Sequence, residues 1–147
     1  MNPLLLNQAN LIADKALEMA RELEFSPMTV AVLDDGGHIK VIKREDNSSL
    51  LRPDIAIGKA WGVLGMGFGG RELARRAEKA PMFFTALNAM SDGRMVPLPG
   101  GVLIRNQEGQ IIGSLGISGD TGPNDEICAV HGIKAAGLIP DTGDKEG

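Results

Sequence analysis

The stretch "MTVAVLDDGGHIKVIK", residues 28 to 43, restricts the fold more than any other part of the chain. A β-branched apolar run from Met28 to Leu33 meets Asp35-Gly36-Gly37, and alternation resumes from His38 to Lys43. Alternating runs joined by Asp-Gly or Gly-Gly read as a β-hairpin, because those residues accept the positive φ of a tight strand connection. Farther on, Val102–Arg105 and Gln110–Ile117 flank "NQEG", a second hairpin signal. Two hairpins predict an antiparallel sheet.

Between and around them the period changes. From Gln8 to Glu24, Ala9, Ile12, Ala13, Ala16, Leu17, Ala20 and Leu23 fall at helical spacing, with Asp14, Lys15, Glu18, Arg21 and Glu22 mostly opposite. Pro53 suits the first turn of the next helix, "DIAIGKAWGVLGMGF". Its small residues Ala56, Gly58, Ala60, Gly62 and Gly65 are poor for an isolated helix, since each Gly costs about 0.8–1 kcal/mol relative to Ala. They predict close approach to a neighbouring backbone. "RELARRAEKA" and "PMFFTALNAMSDG" give two short helices, the second opening at Pro81 and ending before Gly93. A last helix follows Pro123, from Asp125 to Gly137. Strands in hairpins with helices between the blocks predict an α+β domain rather than a doubly wound one. The chain reads as one domain over residues 1–147, with a core over about 5–138 and a polar tail, 139–147, expected to fray.

Composition narrows the function classes. With 147 residues the chain is long enough to bury a core without staples. Nineteen acidic against fifteen basic residues give a net charge of −4, which argues against nucleic acid or an anionic membrane as partner. A single cysteine, Cys128, excludes an internal disulfide and a multi-thiolate metal site. "MNPLLLNQAN" has no basic segment and only a three-leucine run, so no signal peptide is expected. The expectation is a cytoplasmic protein.

"GMGFGG", Gly65–Gly70, matches G-x-G-x-x-G, the loop that holds a dinucleotide pyrophosphate. That loop needs a strand before it and an acidic residue about 20 positions on. Here "AIGKAWGVL" precedes it and Phe84, Thr85 and Ala86 stand where the acid belongs. The glycines therefore read as packing and ending a helix.

Few residues are left to carry chemistry. His38 reads as an exposed strand residue just after the hairpin turn. Asp125 and Glu126 open the last helix, where negative charge favours the dipole. Cys128 and His131, three apart, share a face and either pack or meet one ligand; two side chains fall short of a zinc site, so no metal is expected. Arg44 and Lys59 are the cations expected to face inward. Lys59, among Ala and Gly, either holds a carboxylate or propionate as a point charge or pairs with Asp46 or Asp125.

Almost the whole chain, residues 5–138, resembles the GlcG/HbpS-like family of haem-degrading or haem-binding domains, and the C-terminal domain of PduO-type cobalamin adenosyltransferases. The resemblance rests on "VAVLDDGGHIKVIKRED", "DIAIGKA", "GRELARRAEKAPMFF", "PGGVLI" and above all "GQIIGSLGISGDTGPNDEICAVHGIKAAG". It implies a profilin-like α/β/α fold, a five-stranded antiparallel sheet with helices on both faces, assembled as dimers or larger rings such as octamers. It also implies a pocket near Arg44, Lys59, Gly100, Gly101, Asp125 and Glu126. Three positions depart from the family: Gly69-Gly70 stands where Pro and Ser/Thr are usual, Leu103 where Pro is frequent, and His131 where a small residue is usual. The expected function is binding of haem or a small carboxylated ligand, with Arg44, Lys59, Gly100, Gly101 and His131 in contact. The alternative is a catabolic lyase, isomerase or hydratase acting on a small carboxylic acid. In it Asp125, Glu126 or His131 would be the base and Lys59 the electrophilic partner.

Overall fold

The computed structural model describes residues 3–144. In chain order the elements are α1 (Leu6–Glu22), β1 (Thr29–Asp34), β2 (Ile39–Arg44), α2 (Arg52–Met66), α3 (Gly70–Lys79), α4 (Pro81–Met90), β3 (Gly101–Arg105), β4 (Ile111–Ser118), α5 (Gly122–Ala135) and β5 (Ile139–Asp141). The strands form one antiparallel sheet in the order β2-β1-β4-β3-β5. The expected α+β architecture, five antiparallel strands with helices on both faces, is the observed one.

Both hairpins close by the same local chemistry. Asp34 Oδ1 accepts the backbone N–H groups of Gly36 and His38, while Gly37 takes a φ of 82°. Asn106 Oδ1 accepts those of Glu108 and Gln110, with Gly109 also at 82°. An Asx side chain holds each turn and a glycine absorbs the positive φ.

Strand alternation then sorts side chains between two layers. Val30, Val32, Val102, Leu115 and Ile117 join α1 and α5 in the larger core, where Ala9, Ala13, Ala16 and Ala20 let the helices close in. A Cβ on Gly132 of α5 would overlap Ile12 O of α1. On the opposite face α2 lies across the sheet centre: a Cβ on Gly116 would overlap Ala56 O, and Ser114 Oγ donates to Ala60 O at 2.7 Å. Leu103, Val63, Leu73, Phe84 and Met95 fill the smaller core under α3 and α4.

The polar tail expected from residue 139 is in part a strand. Ile139–Asp141 pairs with β3 and is pinned by Arg105, whose Nε meets Asp141 Oδ2 at 3.0 Å. Three residues, one of them proline, are too few to show a strand period, so only the open edge of β3 reveals it. The end of that tail, residues 145–147, lies outside the described residues. "GMGFGG" is likewise resolved into parts: Gly65 lies in the last turn of α2 with open space around its Cβ position, Gly67 is the helix's left-handed C-cap (φ 76°), and Gly69 is the N-cap of α3. Gly69 does not use the conformational freedom of glycine, since its φ is an ordinary −66°. What matters is the missing Cβ, which at Gly69 would overlap Thr142 and at Gly70 would overlap Leu98 O.

Candidate functional site

Lys59 leaves α2 at the end of the sheet and is 4% exposed, while its partner Asp125 is 1% exposed. Its Nζ donates to Ile117 O at 2.9 Å and to Asp125 Oδ2 at 3.1 Å. The two glycines clear its path: a Cβ on Gly100 (φ 106°) would sit 2.8 Å from Nζ, and one on Gly101 would sit 2.7 Å from Lys59 O. Of the two partners that the sequence left open, Asp125 takes the lysine and Asp46 is exposed. Burial pushes the Asp125 carboxyl up and the Lys59 amine down, and each partner's charge opposes that. The pair joins α2 on one face to α5 on the other.

Asp125 is held from its second oxygen too, since Oδ1 accepts Asp120 N at 2.9 Å. Thr121 caps α5 by accepting Asn124 N at 3.2 Å. Asp120 accepts the N–H of Ser26, the N–H of Thr121 and the Asn124 amide, which lower its carboxyl to about 2. A depressed acid contributes stability above its unfolded value of 3.8, and that contribution disappears as pH falls through about 2.

Glu126 turns to a different neighbour. Both its oxygens accept Arg71 Nε, at 3.0 and 2.8 Å, across to the first turn of α3. Burial raises its carboxyl, opposed by Arg71. His131 lies five residues on, about 140° around the helix and roughly 7.5 Å along it. It is half-buried and, among the described residues, its imidazole has no hydrogen-bond or ion-pair partner. Cys128 packs in the core, where burial pushes its thiol up to about 12. No group of three His, Cys, Asp or Glu side chains gathers to hold a metal among the described residues. His38 is exposed as expected, beside Asp34 at 3.3 Å.

Arg44 does not face inward. It ends the edge strand β2, is exposed, and donates to Ser48 O at 3.1 Å. The cation that does approach Lys59 is Arg52, which sequence reading missed; its Nη1 donates to Ser118 Oγ at 3.0 Å and its charge helps to depress the lysine. Thr29 and Ser48, sharing a buried hydrogen bond of 2.9 Å, were also missed. Only the register Arg44↔Thr29↔Ser118 lines these groups up, and no sequence spacing carries it. The structure thus brings Lys59, Asp125, Gly100 and Gly101 together, and leaves Arg44, Glu126 and His131 at three other places. Arg44 borders a depression of about 500 Å³ with Arg21, Pro27, Glu45, Asp46 and Asn47.

Known proteins share this fold over most of the chain. The chain is similar to the PduOC domain crystallised with haem, with a TM-score of 0.85 at 26% identity over 97% of this chain and all of that one. The Klebsiella pneumoniae protein ORFY superposes with a TM-score of 0.82 at 25% identity over 90% of each chain. An uncharacterised 15.0 kDa protein from the dhaT-dhaS intergenic region of Citrobacter freundii is 29% identical over 112 residues, 75% of this chain and 77% of the other. Residues 4–134 match the sequence pattern of the family described as haem degrading protein HbpS-like, and the chain belongs to that family.

Proposed function

We propose that this chain binds haem on the α5 side of the sheet, with His131 as the contact to iron. The observation that carries the reading is the likeness, over nearly the whole chain, to a domain crystallised with haem. The donor chemistry fits. Histidine is a common haem ligand, and His131 is half-buried with, among the described residues, no partner to compete for its ring nitrogens. Ile127, one turn earlier and 46% exposed, offers an apolar surface for the macrocycle, and Lys134 one turn later offers a charge for a propionate. Bound haem would supply a redox-active iron; the chain's own part is to ligate and orient it. Titration of haemin into the purified protein should give a saturable Soret band that His131→Ala abolishes while the circular dichroism stays unchanged. No band with the wild-type chain would overturn the reading.

A small carboxylated ligand is the second form of the same reading. Arg44 is open to it, whereas Lys59 is reached only by displacing Asp125. In the enzymatic alternative a substrate carboxylate would compete with Glu126 for Arg71, and the released Glu126, whose carboxyl burial raises, would exchange the proton. A thermal-shift panel of small carboxylic acids tests both, and a flat response sinks them.

Self-association belongs to the proposal as well. Helix α4 carries no charged residue, and Met82, Phe83 and Met90 are 86%, 55% and 76% exposed. A two-fold axis sets such a patch against its own copy, hiding both. Light scattering should show an oligomer that Met82→Glu with Met90→Glu converts to a smaller species, and an unchanged mass would remove α4 from the interface.

A further inference from the structure

We infer that the cleft between α2 and the segment after α4 is a binding site for a small zwitterion, a molecule carrying one ammonium and one carboxylate. The cleft has a volume of about 260 Å³ and is lined by Asp54, Ile57, Gly58, Trp61, Arg94 and Val96, with Gly93 at its rim. It lies on the α2 face, across the sheet from α5, so it is independent of the haem reading.

Arg94 is exposed but its side chain is held in place. Its guanidinium stacks on Trp61 at 4.1 Å from the ring centroid, and its Nε donates to Ser91 O at 2.9 Å. Its backbone is fixed as well. Val96 N donates to Gly58 O, Met95 N donates to Asn88 Oδ1, and a Cβ at Gly58 would sit 2.6 Å from Val96 Cγ2 and 2.9 Å from Arg94 O. The terminal guanidinium nitrogens have no acceptor among the described residues. A guanidinium fixed by stacking and by its Nε keeps a planar fork of donors suited to a carboxylate.

The same cleft contains the opposite charge. The Asp54 carboxylate lines it and, among the described residues, has no ion-pair or hydrogen-bond partner, Arg94 included. Two opposite and unpaired charges lining one small cavity, the guanidinium held in place, select a ligand with both charges. A simple anion would meet Asp54 and a simple cation Arg94. Ile57, Val96 and the indole provide the apolar wall between them. Drug-sized ligands occupy about 300–1,000 Å³, so a cleft of 260 Å³ suits a ligand of few heavy atoms.

Trp61 is the only tryptophan in the chain, and there is no tyrosine, so intrinsic fluorescence reports on this cleft alone. The probes are L-alanine, β-alanine and γ-aminobutyrate, which space the two charges progressively, with n-butyrate and n-butylamine as single-charge controls. At least one amino acid should change the fluorescence saturably, and calorimetry should give the same affinity. Each control should bind at least about tenfold more weakly. Arg94→Gln and Asp54→Asn, both at exposed positions, should each weaken the best probe about tenfold and leave haemin titration unaltered. Absence of saturation with all three amino acids by both methods overturns the inference. So does equal binding of n-butyrate, or an affinity that neither substitution changes.

Discussion

Lys59→Met should lower the unfolding free energy by about 3–5 kcal/mol, the cost of leaving a buried charge without its partner. The stranded group is Asp125, 1% exposed, which keeps its bond from Asp120 N but loses the ammonium that opposes its desolvation. Its carboxyl, already raised by burial, must rise further. A group whose folded value exceeds its unfolded one contributes fully below the unfolded value, here 3.8, and the contribution is lost as pH rises through the folded value. The deficit of Lys59→Met against wild type should therefore be smallest in acid and grow toward neutral pH. Urea unfolding at several pH values measures it. Lys59→Met combined with Asp125→Leu should recover most of the loss, because two apolar groups need no compensation in that space. A deficit under about 1 kcal/mol at neutral pH would mean that the pair is solvated and open to ligands after all. The result also bears on function, since loss of ligand binding in a Lys59 variant counts as evidence of contact only where the fold survives.

How much of this was legible in the sequence depends on how local the cause is. Both hairpins and every helix were readable, because period and turn chemistry lie within a few residues. Asp34 and Asn106, with Gly37 and Gly109, are local signals of that kind. Lys59 announced itself as a charge among small residues, and Asp125 was one of two partners considered. The remaining groups depend on contacts far apart in sequence. Arg71 and Glu126 meet across 55 residues, Arg52 and Ser118 across 66. Strand β5 exists because β3 presents a free edge, not because Ile139–Asp141 has a strand pattern. Arg44 misled for a physical reason as well: alternation tells which face a residue takes, but not whether a helix covers that end of it.

The glycines divide the same way, and Gly116→Ala should cost about 3 kcal/mol or more, at or above the usual range for overpacking. Its added Cβ would overlap Ala56 O where α2 crosses the sheet, and both sides of the clash are backbone in regular elements. Neither can yield without breaking a ladder or a helix, so the cost exceeds that of an ordinary crowded side chain. Gly65→Ala is the control. That glycine lies inside α2 with nothing within 4 Å of its added Cβ, so alanine there should stabilise the chain by about 0.5–1 kcal/mol through backbone entropy. Gly69→Ala, four residues farther on, should instead push Thr142 away and break the bond from Arg71 N to Thr142 O. Hydrogen exchange would register that as lost protection at the start of α3 and in β5. Thermal melts of the three variants then separate the roles of glycine in one chain: relief of contact at Gly116 and Gly69, and dispensable freedom at Gly65. Equal melting temperatures for Gly65→Ala and Gly116→Ala would contradict the close packing of α2 on the sheet, and with it the placement of Lys59.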